Sequence, residues 1–284
     1  MKAPPAEPAA AIEPPPVAAQ EATPETAPAE ARWSVGRHTN VLLLLLALLL
    51  FWQFAVPLLV PGYVFPTLET VVDKFAAILR SRNTYVDIFN TTLRIIGGFV
   101  VSGLVGICFG VALAMSKRLN ATFMPVVRFI TGVPALTWVL LAIIWFRSTE
   151  LRIWFLMFVL MAPIVTINTY DGVRSISYEL YQMVLSLGPN KFRLLRLIVL
   201  PGATPFVFSG LKVGLSFGGR FVVFAEAMSA DSGIGSAMYT MNQTFDIAGI
   251  IVWTLLLVIV LAVLDVLLTK VERHWFRWRR DFQG

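Results

Sequence analysis

The 284-residue chain is 57% hydrophobic and only 14% charged, with a mean hydropathy of +0.75. A solvated globule needs more polar cover than that, so the composition excludes a soluble protein and places the chain in a lipid bilayer. The formal charge of +6 does not point to nucleic acid, because the basic residues are scattered in short connections and form no stripe interleaved with aromatics.

Residues 1–31 are almost wholly Ala, Pro and Glu. Such a segment cannot bury enough apolar surface to offset its ordering entropy, and it is expected to be a disordered tail before a transmembrane domain over residues 32–284. It lacks the basic start and small-residue cleavage site of a signal peptide. Apolar stretches follow at about 41–57, 88–115, 122–146, 152–170, 203–229 and 248–269. Each is long enough to cross a ~30 Å hydrocarbon core at ~1.5 Å per residue, which predicts an all-α integral membrane protein of six spans. Pro125 and Pro134 predict a short separate helix and a kink in the third.

The segment from Pro66 to Asp87 is too polar to cross. Its Leu68, Val71, Val72, Phe75, Ile78 and Leu79 recur at helical spacing opposite Glu69, Asp73, Lys74 and Arg80. That is the pattern of a helix lying along the outer membrane surface, or of a helix packed on the bundle. Counting Lys and Arg near the span ends sorts Arg32, Arg37, Lys117, Arg118, Arg174, Lys191, Arg193, Arg196, Lys270, Arg273, Arg277, Arg279 and Arg280 to one side, against Lys74, Arg80, Arg82, Arg147 and Arg152 on the other. Both termini are therefore expected in the cytoplasm.

No catalytic or metal-binding centre is expected. Cys108 stands alone in an apolar run, where it serves packing, and His38 and His274 flank spans without clustered partners. A Gly-rich loop ending in Gly-Lys-Ser/Thr is absent, so this chain is not expected to bind or hydrolyse ATP.

The stretch from Tyr178 to Gly202 breaks the apolar pattern on the cytoplasmic side. Ser177 is a good N-cap, Glu179 suits the first turn, and Leu180, Met183, Val184 and Leu187 share one helical face. Gly188 and Pro189 stop that helix, and Asn190 can cap a second one running through Leu195 and Val199 to Pro201. A helix resting on lipid headgroups has the same periodicity.

Gly188, nine residues, Ile198, one residue, then Leu200-Pro201 resembles the cytoplasmic-loop signature of permease subunits of binding-protein-dependent ABC importers. The similarity covers most of residues 65–270 and is greatest to the nitrate, sulfonate and taurine branch. It runs through Pro134-Ala135-Leu136-Thr137-Trp138, Gly172-Val173-Arg174, Ala225-Glu226 and Ser232-Gly233-Ile234-Gly235. One departure is that the Glu-Ala-Ala triplet of the family's loop is here Gln182-Met183-Val184.

The resemblance implies a type I importer permease fold in a bacterial inner membrane, six spans with a cytoplasmic two-helix coupling loop. It implies a second copy of the permease, cytoplasmic ATPase subunits that hold ATP and Mg, and a periplasmic substrate-binding protein. Glu179, Gln182, Met183, Leu187, Gly188 and Pro201 would then couple to the ATPase. The connection from Ala230 to Ile247 would help dock the binding protein, although its turn chemistry also suits a plain solvated loop.

Charges within spans are costly and mark function. The fifth span carries Lys212, Arg220 and Glu226, and Gly218-Gly219 stands where related sequences carry a small residue and tryptophan. Arg220, near mid-span with room beside it at Gly219, suits a carboxylate, nitrate or sulfonate, and a pair with Asp265 or Glu226 is the alternative. Lys212 and Glu226 are further pathway candidates. Gly210, Gly214 and Gly218 leave one face bare for close helix packing, as do Gly103, Gly106 and Gly110 on the second span. An ion-gradient-driven secondary transporter of a small anion is the other functional reading. It calls for ion-binding groups near the midplane and internal repeats, whereas only Arg220 is central here. A non-transporting scaffold leaves the two-helix interruption without a role.

Overall fold

The computed structural model of the protein describes residues 43–44, 46–55, 65–177, 193, 198–229 and 231–275. It divides into two units, Met1–Phe51 and Trp52–Gly284. In the first, residues 43–44 and 46–50 are helical and Leu43, Leu44, Leu46 and Leu48 are exposed. A short π-helical turn spans Phe51–Ala55.

The second unit opens with α1 (Leu68–Arg80), whose first turn is capped by the Thr67 side chain. Its apolar face is used within the protein: Val71 is buried in a cluster with Val223, Ile234, Val252 and Trp253. The helix therefore packs on the bundle. Next, α2 (Arg82–Met115) begins six residues before the expected start of its span. Thr84 Oγ1 donates to the Ile78 carbonyl at 2.6 Å and ties the new helix to the end of the old one. At ~1.5 Å per residue its 34 residues reach about 51 Å, well beyond a ~30 Å core.

The stretch expected as one kinked third span is two helices, α3 (Lys117–Gly132) and α4 (Ala135–Trp145), bent by 96°. Pro134 lacks an N–H and holds Val133 in an extended conformation, so the helix stops before it; Pro125 sits inside α3 without breaking it. The long helices α5 (Thr149–Arg174), α6 (Leu200–Ser229) and α8 (Ile247–Trp275) complete the bundle, with the short α7 (Ile234–Gln243) between the last two. Among the described residues, four helices are long and apolar enough to cross a membrane (α2, α5, α6, α8), or five if the bent α3–α4 pair is one span.

The core forms where α5 is gripped between α2 and α6. Met157, Met161 and Val165 of α5 are fully buried against Ile95 of α2 and Leu211, Leu215 and Val222 of α6. The glycines make this possible. A Cβ at Gly214 or Gly210 would lie 2.7 Å from Met161 Cγ or Asn168 Cβ, and one at Gly106 would lie 2.8 Å from Val165 Cβ. These contacts bear out the close-packing reading of both glycine stripes.

Asp246 joins α1 to α8. It caps α8 by accepting the Gly249 N–H at 2.8 Å and pairs with Lys74 of α1. Partial burial raises its pKa, but the hydrogen bonds from Lys74 and Gly249 and the Lys74 charge outweigh that and hold the carboxyl below the usual carboxylate range. A depressed folded-state pKa stabilises the protein above the unfolded value of about 4, and that contribution fades as pH falls through the folded value. Thermal melts from pH 6 to pH 3 should therefore show a steeper acid-side loss for the wild type than for Asp246→Asn, with the variant less stable at pH 6. Parallel curves would show that the pair and cap are energetically silent.

Candidate functional site

Helix α6 carries the charges singled out in the sequence, and the structure separates them into three environments. Lys212, about three turns into the helix, is paired with Glu272 in the last turns of α8. Gly219 faces α8 as well: a Cβ there would meet Leu261 Cδ2 at 2.6 Å. The room beside Arg220 is thus filled by Leu261 on the Gly219 side. Arg220 itself is exposed and has no ion-pair partner among the described residues, so neither Asp265 nor Glu226 holds it. It lies on the exposed face of α6 between Phe217 and Phe224, in line with Val213 and Met228.

Glu226 is the opposite case, with 0% exposure. Arg94 Nη1 of α2 donates to its Oε1 at 2.8 Å, Thr91 Oγ1 donates to the carboxylate at 2.9 Å, and the Gly235 N–H donates to Oε2 at 3.0 Å. Asp87 Oδ1 accepts the Gly233 N–H at 2.8 Å and Thr91 Oγ1 accepts the Ile234 N–H at 2.8 Å. Three successive amides at the start of α7, all orphans of the helix geometry, are thus satisfied by α2 and α6 side chains, with a carboxylate at the positive end of the helix dipole.

The turn that allows this needs its glycines. Gly233 has φ of 118°, a left-handed conformation, and a Cβ on it would sit 2.6 Å from the Glu226 carboxyl carbon. At Gly235 a Cβ would meet the Val223 carbonyl at 2.3 Å. Arg94 extends the network: Nη1 also donates to the Ser232 carbonyl at 2.7 Å, while Nε and Nη2 reach Glu150 Oε1, at the start of α5, at 3.0 and 2.8 Å. One guanidinium therefore connects α2, α5, α6 and the turn into α7.

Of the residues assigned to the cytoplasmic interruption, Glu179, Gln182, Met183, Leu187 and Gly188 lie outside the described residues. The helix expected to run from Asn190 to Pro201 lies mostly outside the described residues, but Pro201 itself is described. It sits in the first turn of α6, where a residue without an N–H costs no hydrogen bond.

Residues 106–277 match the family described as "Binding-protein-dependent transport system inner membrane component". The chain belongs to this family. Among its relatives, this permease is 24% identical over 259 residues to the taurine transport system permease protein TauC of Escherichia coli, covering 89% of this chain and 94% of that one. It is 28% identical over 186 residues to the bicarbonate transport system permease protein CmpB of Synechococcus elongatus, covering 65% and 66% of the two chains. An inward-facing structure of the MetNI methionine ABC transporter matches the permease's fold with a TM-score of 0.58 at 15% identity, over 69% of this chain and 100% of the other. The protein is a multi-pass inner-membrane permease of the nitrate, sulfonate and taurine branch of ABC importers, and permeases of this family are non-catalytic subunits.

Sequence reasoning overlooked Arg94, although the signal was present. It lies inside the apolar stretch 88–115, where the insertion cost that drew attention to Arg220 applies equally.

Proposed function

We propose that this permease works as a pair of identical subunits, each with six spans and both termini in the cytoplasm. Together they form the import pathway for a small anion of the sulfonate, taurine, nitrate, bicarbonate or organic-acid class. Cytoplasmic ATPases holding ATP and Mg drive the pair through the 178–201 segment, where Glu179, Gln182, Met183, Leu187 and Gly188 seat in the ATPase and Pro201 passes the push into α6. A periplasmic binding protein delivers the solute to the end that carries α7. The permease itself contributes no catalytic group and holds no cofactor.

The observation that carries this reading is Arg220. A guanidinium on an exposed membrane-helix face costs about 2.5–3.5 kcal/mol or more against hydrocarbon, so that face of α6 meets the second copy and the solute. Its planar donor fork suits a carboxylate, nitrate or sulfonate. Lys212, Glu226 and Gly219 lie along the same helix and hold its shape, through Glu272, Arg94 and Leu261 respectively. The relatives whose names carry taurine and bicarbonate support the solute class.

The test is affinity purification of the tagged permease in mild detergent, with co-purifying proteins identified by mass spectrometry. An ATPase and a binding protein are expected with the wild type, and Met183→Arg with Leu187→Arg should lose the ATPase alone. An intact permease that brings down neither protein would sink the importer reading. A separate expectation concerns Arg220→Gln in the reconstituted complex, once the binding protein's ligand is known. Charge-assisted bonds of the usual strength predict uptake lower by about tenfold or more with assembly unchanged. Unchanged uptake would remove Arg220 from the pathway.

A further inference from the structure

From Phe206 to Met228, α6 exposes a narrow stripe of about one residue per turn. At ~1.5 Å per residue the stripe runs about 33 Å, the full depth of a hydrocarbon core. Among its described residues Arg220 carries the only charge, and Ser209, about 16 Å away along the helix, is the only other polar side chain. Phe217 lies one turn before Arg220 and Phe224 one turn after it, 41% and 51% exposed. The partly buried Phe221 touches both, with ring centroids 5.1 Å from Phe217 and 5.6 Å from Phe224. A row of rings therefore runs alongside the guanidinium. Each ring is held by the next, so the row offers apolar area at little cost in side-chain entropy.

Such a surface sorts anions by their uncharged part. The guanidinium takes a sulfonate or carboxylate through its donor fork. Nitrate and bicarbonate have no apolar part to set against the rings, and phenylalanine offers their remaining oxygens no hydrogen bond. The ammonium of a zwitterion needs an acceptor, and the stripe presents no carboxylate, since Glu226 near its outer end has 0% exposure and is bonded to Arg94. An aryl or alkyl group, by contrast, buries its own area against the rings. We propose that the solute is an organic anion with an apolar body, an aryl or alkyl sulfonate or carboxylate. Its charged end rests on Arg220 and its body on Phe217, Phe221 and Phe224. This inference rests on the reading that the Arg220 face lines the import pathway, and it narrows the solute within the anion class given there.

The probe is radiolabelled benzenesulfonate, bound to the purified full-length permease in mild detergent and followed by scintillation proximity. Unlabelled benzenesulfonate should displace it at about tenfold lower concentration than methanesulfonate, and taurine, nitrate and bicarbonate should do no better than methanesulfonate. Benzenesulfonamide, the same ring without the charge, should not displace it. Removing both exposed rings, Phe217→Ala with Phe224→Ala, should bring the two sulfonates close to parity, with the inhibition constant of methanesulfonate unchanged. Arg220→Gln should lose specific binding of the probe. Equal displacement by the two sulfonates in the wild type, with binding lost in Arg220→Gln, would overturn the apolar body and leave the anion pathway standing. Probe binding that survives Arg220→Gln, displacement by benzenesulfonamide, or no saturable binding would overturn the site itself. The importer reading stands or falls separately, on the co-purification.

Discussion

Replacing Arg94 with methionine is expected to cost the permease about 3–5 kcal/mol of stability, because it strands the Glu226 carboxylate in the protein interior. Glu226 has 0% exposure and Arg94 supplies its only cationic partner among the described residues. The same substitution unties the Ser232 carbonyl and frees Glu150, so the turn into α7 loses one bond and α5 loses its tether. Adding Glu226→Gln to the variant removes the stranded charge while keeping an acceptor for Thr91 and the Gly235 N–H. It should therefore recover a large part of the loss, and the coupling between the two substitutions should be of the order of 1–3 kcal/mol. Thermal unfolding in detergent of the wild type, both single variants and the double variant closes this cycle. If Arg94→Met melts within about 0.5 kcal/mol of the wild type, as an ordinary surface change would, the network contributes nothing to stability.

How legible this arrangement is in the sequence depends on the range of the interaction. Helix existence follows from apolar runs and local caps, which is why the stretches at 152–170, 203–229 and 248–269 reappear as α5, α6 and α8 with ends moved by a few residues. The glycine stripes are legible too, since a repeat of four on a membrane helix leaves one bare face whatever partner comes to fill it. Pro134 is legible as a break, but the 96° angle is set by what α4 packs against, which no local pattern encodes. The pairing of charges is a longer-range matter. Glu226 lies 132 positions from Arg94, and with several carboxylates and cations in or near spans nothing local says which pairs with which. Arg220 stood out in the sequence for its central position, and Arg94 went unnoticed because it lay in a span dominated by glycine packing. In the structure the roles invert for stability: Arg94 is built into the protein and Arg220 faces outward.

Gly110 gives the other large expected effect. A Cβ there would sit 2.7 Å from both the Thr166 carbonyl oxygen and Thr169 Cβ of α5. Neither neighbour can swing aside, because one is backbone and the other is the first side-chain atom, so α2 and α5 must move apart. Gly110→Ala should cost about 1–3 kcal/mol as an overpacked contact, and Gly110→Leu more, enough to prevent recovery of folded protein. The comparison is Gly132 at the end of α3, where an added Cβ meets nothing within 4 Å. Alanine there should be neutral or stabilise by up to about 1 kcal/mol through helix propensity alone. Melting both alanine variants side by side in detergent separates backbone preference from helix contact. Similar melting temperatures would mean that α2 and α5 tolerate a wider spacing and that the glycine stripe is not what holds them together. A clear loss confined to Gly110→Ala would place the tight α2–α5 contact at the centre of the fold, with Arg94 and Glu150 bonded across the same pair of helices.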